Sequence, residues 1–264
     1  MMHSPTKDDD DDFFNPALFL NENYTNTEYE FGDTRQSLLS SKAASTDHDL
    51  TGQVVWPVSI LLSWFVVSNR DLFRDKVVLE LGAGAGLAGF VASQFAARTA
   101  ITDGNDVVLR LLDRNADQAS TVCGVFKLLW GEEDSVIQFQ KDFPYPVDVM
   151  LGADVVCWPN LVLPLLRTIK HLMHQHARPF EVVFYCGFVC RAQSTQDLFF
   201  AQAKIMGFKL WFVPHDDFLP TPRPANVTST MELNLLGLSL DTTAPLAMDP
   251  VVFCDNLQDL QTAC

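Results

Sequence analysis

The stretch Lys76-Val-Val-Leu-Glu-Leu-Gly-Ala-Gly-Ala-Gly-Leu-Ala-Gly89 constrains this chain more than any other. Val77 to Leu81 reads as a strand, short, apolar and β-branched at its start, and Leu87 to Phe95 reads as a helix. Between them Gly82, Gly84 and Gly86 stand at alternate positions. A glycine turn between strand and helix lets backbone approach a ligand with no Cβ in the way, and it aims the helix N-terminus at whatever binds. A tight turn without a ligand also uses glycine, but three alternating glycines favour a nucleotide-type ligand.

Gly84-Ala-Gly86-Leu-Ala-Gly89 formally satisfies the dinucleotide fingerprint GxGxxG. The strand, however, ends at Leu81, and Gly82 comes before that register begins. The register Glu80-x-Gly82-x-Gly84-x-Gly86, with Ala83 after the first glycine, resembles motif I of the seven-stranded methyltransferases that bind S-adenosylmethionine. That ligand has no pyrophosphate, so an anion-binding helix terminus matters less. It carries an amino group and a sulfonium, which suits an acidic neighbour such as Glu80.

At 264 residues the chain can bury one large core, and one domain with extensions is the natural count. Residues 1–12, with the run Asp8 to Asp12, read as a disordered acidic tail. Residues 13–50 read as an extension, with a short element over Phe13 to Glu22 and a hairpin of Tyr29–Phe31 and Gln36–Ser40 around Gly32-Asp33. Residues 51–243 form the main domain, and 244–264 a tail. A net charge of −15 argues against nucleic acid or an anionic membrane as the partner and leaves a protein partner open. There is no basic-then-apolar leader pattern, and the apolar stretch Val54 to Val67 is broken by Pro57 and too short to span a bilayer. The six cysteines lack metal spacing. Cys186 and Cys190, read on one strand face, stand roughly 13 Å apart, too far for a disulfide. A monomer in a reducing cytosolic or nuclear setting is expected.

Strands and helices alternate along the domain. Pro57 opens an apolar helix through Ser68. Strands follow at Arg98–Asp103, within Val122–Trp130, at Val147–Asp154 and from Glu181 to Gly187. Helices are expected over Asn105–Asn115, Asn160–His174 and Thr195–Met206, and two final strands over Phe208–Val213 and Met231–Leu240, around a Pro/Thr-rich loop. The pattern predicts an α/β fold, a Rossmann-like sheet with helices on both faces that binds its ligand at the carboxyl ends of the strands.

Three residues at such ends, and Trp56 just before the apolar helix, draw interest. Asp103 lies about 20 residues past the glycine turn, where such folds place an acid on ribose hydroxyls; the alternative is a turn aspartate before Gly104-Asn105. Trp130 suits an adenine edge or a core position. Trp56 suits the methionine end of the ligand or an anchor under the hairpin. Asp154 suits an incoming amine beside the cofactor methyl, or a helix N-cap. His171, His174 and His176 read as cations at a helix C-terminus or solvated side chains rather than metal ligands, and no metal is expected.

Trp56-Pro57, Glu80-Leu-Gly-Ala-Gly-Ala-Gly86, Asp103, Leu129-Trp130-Gly131 and Gly152-Ala-Asp154 occur in the order seen in the family 16 lysine methyltransferases. From about Tyr29 to Leu240 the chain resembles that family, whose members modify non-histone proteins such as elongation factors, chaperones and calmodulin. The resemblance implies a seven-stranded sheet with its last strand antiparallel. It implies that Trp56, the glycines, Ala83, Asp103, Trp130 and Ala153 surround S-adenosylmethionine. It also implies that Asp154 heads the Asp-x-x-Tyr/Phe motif that places an acceptor lysine for direct in-line methyl transfer. At the fourth position of that motif this chain has Cys157, followed by Trp158. The other readings are the same fold acting on histidine, arginine or a small molecule, a cofactor-binding scaffold, and a dinucleotide oxidoreductase.

Overall fold

The computed structural model describes residues 24–42, 48–227 and 232–243. The acidic run, the element expected over Phe13–Glu22 and the tail 244–264 lie outside the described residues, as do parts of the loops over Ser41–Asp49 and Pro214–Thr230.

A two-stranded hairpin comes first, β1 (Thr25–Phe31) and β2 (Thr34–Ser40), turning at Gly32-Asp33. Then follow α1 (Pro57–Ser68), β3 (Val77–Glu80), α2 (Leu87–Ser93), β4 (Arg98–Asp103), α3 (Asp106–Ala116), β5 (Cys123–Lys127) and α4 (Glu133–Asp142). The chain continues with β6 (Val149–Ala153), α5 (Pro159–His174), β7 (Val183–Val189), α6 (Gln193–Ile205), β8 (Phe208–Phe212) and β9 (Leu233–Leu240). Seven strands form one sheet in the order β5-β4-β3-β6-β7-β9-β8. The pairs among β3, β4, β5, β6 and β7 are parallel, and β9 runs antiparallel to both neighbours. The chain therefore winds outward from β3 in one direction and from β6 in the other, which opens a crevice at the carboxyl ends of those two strands.

The strand sequences are apolar throughout because both faces are covered. Adjacent residues serve opposite layers. Val78, Ile101 and Leu151 pack under α1, α2 and α3, while Leu79, Ala100 and Met150 pack under α4, α5 and α6. Helix α1 is buried from Leu61 to Val67, as its nearly continuous apolar sequence requires. The hairpin is part of the first layer: Phe31 and Leu38 are fully buried, and the Phe31 ring meets Trp64 of α1 edge to face at 5.5 Å.

Several sequence expectations are corrected. Helix α4 was not expected, because only Val136 and Phe139 are buried in an otherwise polar segment. Glu181 closes a short 3-10 turn and β7 starts at Val183, so Cys190 lies past the strand end; Cys186 and Cys190 are both free thiols. His171 and His174 do sit in the last turn of α5, but burial pushes both below the ordinary imidazole value. Neither serves as a cation there at neutral pH.

One buried amide joins the layers. Asn115 of α3 donates to Leu39 O at 3.0 Å and Ala85 O at 3.1 Å, and accepts from Leu39 N at 2.8 Å. It fastens the hairpin to the glycine turn with both donors and its acceptor in use. Asn115→Ala leaves these backbone groups without partners and is expected to cost about 2–3 kcal/mol of stability in a denaturant titration. Asn115→Asp, which keeps only the acceptor, is expected to recover less than half of that loss.

Candidate active site

The crevice is built on a turn whose backbone hydrogen bonds can be followed residue by residue. Leu81 N continues the ladder to Leu151 O of β6 at 2.8 Å, and Ala83 N reaches Thr102 O of β4 at 2.9 Å. Gly84 N donates to the Asp103 carboxylate at 3.0 Å, and Gly86 N closes onto Ala83 O at 2.8 Å. The backbone enters the left-handed region at Gly82, Gly84 and Gly86, with φ of +58°, +55° and +87°. At Gly84 a Cβ would lie 2.8 Å from Gly52 O, and at Gly82 one would lie 2.9 Å from the Trp130 ring. Both positions therefore require glycine for conformation and for room.

Those two contacts define the walls. The segment Thr51–Gln53 crosses over Gly84 and the first turn of α3, and it is tied down by Ser41 N to Gln53 O at 2.8 Å and Tyr24 Oη to Gln53 Oε1 at 2.7 Å. Trp130 comes over Gly82 from the end of β5, held by Gly131 N donating to Thr168 Oγ1 of α5 at 2.9 Å. Trp56 opens α1, its indole N–H donating to Thr51 O at 3.2 Å. Both indoles are half-buried.

The carboxylates divide the work. Asp103 ends β4; one oxygen accepts from Gly84 N and the other from Asn105 N, each at 3.0 Å. It thus fills both the turn role and a position beside the glycine turn. Burial holds its pKa above the ordinary carboxylate value, against the backbone donors that lower it. Glu80 is 1% exposed, and its Oε2 accepts from Gly89 N of α2 at 2.9 Å. Burial raises its pKa from 4.5 to about 8. Glu80 is therefore shut beneath α2 rather than open to the crevice, where it fixes the packing of α2 against the turn through Gly89 N.

Asp154 follows β6, across the crevice from Asp103; with β3 between them, the two strand ends lie about 10 Å apart. Its backbone sits at φ +60° and its N–H donates to Gly187 O of β7 at 2.8 Å. The helix-cap alternative fails, because α5 begins at Pro159 with Trp158 in the cap position. The Asp154 carboxylate instead meets Arg191, whose Nη2 is in direct contact and whose Nε lies at 3.3 Å. The same guanidinium lies 4.8 Å over the Trp56 ring, which therefore faces this end of the crevice rather than acting only as an anchor. Cys157 is half-buried, and burial together with the Asp154 charge raises its thiol to about 11, so it is neutral. Ala153 ends β6 between Gly152 and Asp154.

Gly82, Ala83, Gly84, Gly86, Asp103, Trp130, Ala153, Asp154 and Trp56 thus collect along one ridge of strand ends, while Glu80 lies beneath it. The sequence reading missed Arg191 and the covering segment around Gly52. Arg191 lies just past the carboxyl end of β7, the same kind of position that flagged Asp103 and Asp154. Gly52 contacts only backbone and one valine of distant segments, which leaves no local pattern. Among the described residues, no group of three His, Cys, Asp or Glu side chains is placed to hold a metal ion.

Two measurements probe this ridge. Asp103→Ala is expected to weaken S-adenosylhomocysteine binding by roughly 1.5–3 kcal/mol in calorimetry, with Asp103→Asn losing less because it keeps one acceptor oxygen. Glu80 generates a pH dependence. Its folded pKa lies above its unfolded one, so the unfolded state loses the proton first and stability falls as pH rises from about 4.5 to about 8. Glu80→Gln keeps an acceptor for Gly89 N and removes the charge. Its stability relative to the wild type is expected to be near zero at pH 4 and to rise toward pH 8, by at most about 4 kcal/mol, in parallel urea titrations.

Comparison with known proteins agrees with this geometry. The family model described as lysine methyltransferase matches residues 38–205, more than half of the chain. The protein-lysine N-methyltransferase EEF2KMT of Mus musculus is 28% identical over 192 residues, covering 67% of this chain and 56% of that protein. The protein N-lysine methyltransferase METTL21A of Danio rerio is 33% identical over 127 residues, covering 45% of this chain and 54% of that protein. The histone-arginine methyltransferase METTL23 of Xenopus laevis is 32% identical over 127 residues, covering 47% of this chain and 53% of that protein. The chain spans about half the length of these relatives. With the matched region running from the hairpin through the glycine turn and both strand-end carboxylates to α6, the chain belongs to the lysine methyltransferase family.

Proposed function

We propose that this protein is an S-adenosylmethionine-dependent N-methyltransferase that modifies a lysine side chain of a non-histone protein. The observation that carries the reading is the ridge itself. Glycine turn, Asp103 and Trp130 stand at the ends of β3, β4 and β5, and Asp154 stands across the crevice at the end of β6. The first group suits a nucleoside, with Asp103 for ribose hydroxyls and the Trp130 ring for the base. When bound, the cofactor supplies an electrophilic methyl on a sulfonium, and its transfer to a neutral amine leaves a thioether.

The chain's own part is to hold that amine. Asp154 offers a carboxylate whose side chain is only 8% exposed, at a point fixed by β6–β7 pairing. A lysine has an ordinary pKa of about 10.4 and attacks only when neutral, so the site must favour the uncharged form and align its lone pair. The low exposure of Asp154 contributes the first, since desolvation disfavours the ammonium. A basic protein surface suits the acidic chain as substrate. The same proposal has a monomer working in the cytoplasm, and also in the nucleus, without nucleic acid or membrane as partner.

A second reading is an arginine acceptor. It rests on Arg191, which shows that the corner between Asp154 and Trp56 accommodates a guanidinium.

The deciding experiment incubates a cell extract with the protein and methyl-labelled S-adenosylmethionine, followed by amino-acid analysis of the labelled band. Methyl-lysine is expected; methyl-arginine would move the acceptor class, and no protein label would remove the enzyme reading. For Asp154, asparagine is the informative substitution, because it tolerates the left-handed backbone that alanine strains. Asp154→Asn is expected to lower turnover by about 100-fold or more, the scale of lost orientation, with S-adenosylhomocysteine affinity changed less than about threefold. Full activity in a folded Asp154→Asn protein would remove the aspartate from the acceptor site.

A further inference from the structure

Asp154 raises a physical difficulty that its own strand does not resolve. A carboxylate beside an amine accepts an N–H bond and orients the lone pair, but its charge also stabilises the ammonium. An opposite charge within about 4–6 Å raises a lysine pKa, and the effect grows where water is excluded. An uncompensated Asp154 would hold the acceptor in its unreactive form.

The compensating charge comes from the neighbouring strand. Arg191 lies at the start of the β7–α6 connection and turns its guanidinium onto Asp154 through Nη2 and Nε. The guanidinium also lies over the Trp56 face, its carbon 4.8 Å from the ring centroid. The Asp154 side chain is 8% exposed while that of Arg191 is a third exposed, so the pair is closed on the carboxylate side and open on the guanidinium side. This is not a solvated surface pair, whose contribution is usually small. The other titratable groups facing it are thiols: Cys157 from the loop after β6 and Cys186 within β7, both raised by burial and both neutral. Asp154 raises Arg191 above its ordinary value, so the guanidinium stays charged at every working pH.

We propose that Arg191 is a positioning residue for methyl transfer: by pairing with Asp154 and lying on Trp56, it cancels the carboxylate's charge at the acceptor nitrogen, so that Asp154 orients a neutral amine instead of trapping an ammonium. The planar, delocalised guanidinium suits this, since two donors occupy one side of the carboxylate and leave acceptor sites for the substrate N–H. The inference rests on the lysine methyltransferase reading.

Its test is a pH profile. The labelled acceptor protein from the extract is methylated by wild type, Arg191→Gln and Arg191→Lys with saturating S-adenosylmethionine from pH 6.5 to 9.5. In wild type the rate rises with pH as the bound amine deprotonates. In Arg191→Gln the unpaired Asp154 holds the proton, so the midpoint is expected to move up by about one pH unit, which is about a tenfold loss on the acid side. The two rates converge at high pH. Arg191→Lys keeps the cation and is expected to keep the midpoint. A loss of equal size at every pH would make Arg191 a mere support, and a faster Arg191→Gln at neutral pH would make it a plug in the acceptor channel; either overturns the proposal. So would loss of S-adenosylhomocysteine binding by Arg191→Gln, which would place Arg191 in the cofactor pocket. Label on lysine with unshifted profiles sinks this inference alone, whereas no lysine label from wild type sinks the parent reading as well.

Discussion

Two carboxyl groups, Glu80 fully buried and Asp103 partly so, hold the turn on which the site depends. Glu80 pulls in the Gly89 N–H from below, fixing where α2 begins its packing, and Asp103 pulls in the Gly84 N–H from the side. Each stands against a desolvation cost, which is why each pKa is raised, and the Asp103 charge raises Glu80 further. With its pKa raised to about 8, Glu80 is mostly protonated at neutral pH and holds Gly89 N as a largely neutral acceptor.

The remaining structure follows from the open backbone of that turn. Because Gly84 lacks a Cβ, the Thr51–Gln53 segment crosses within van der Waals reach; because Gly82 lacks one, Trp130 closes over it. The hairpin then acquires a purpose beyond covering α1. It is fastened through Asn115 to Ala85, inside the turn, and through Ser41 to Gln53, on the crossing segment. The hairpin is thus joined to the glycine turn by direct hydrogen bonds through Asn115.

How far the sequence discloses this depends on how local each signal is. The glycine turn, Asp103, the apolar helix after Pro57 and the alternation of strands and helices are local patterns, and the elements and the sheet they predict are present. Helix α4 escaped because it packs on two residues, Val136 and Phe139, which is too thin a stripe to show a period. Asp154 was placed rightly at a strand end, but its partner comes from a strand 37 residues away. The position of the α5 histidines suggests cations, but burial, which no local pattern reveals, disfavours their charged form. Glu80 was read as a ligand contact because of its place in the motif; one-residue alternation along β3 turns it under α2 instead.

The two ends of the crevice are therefore specified by different means. At the glycine-turn end the groups are backbone amides, left-handed glycines and carboxyl groups at fixed places in or next to the strands, and their spacing reads as a motif. At the acceptor end the working groups are side chains from three segments, Trp56, Asp154 and Arg191, with Cys157 neutral beside them and Trp158 41% exposed at the mouth. Their backbone demands are slight apart from the left-handed Asp154, so the surrounding loops can change without dismantling the fold.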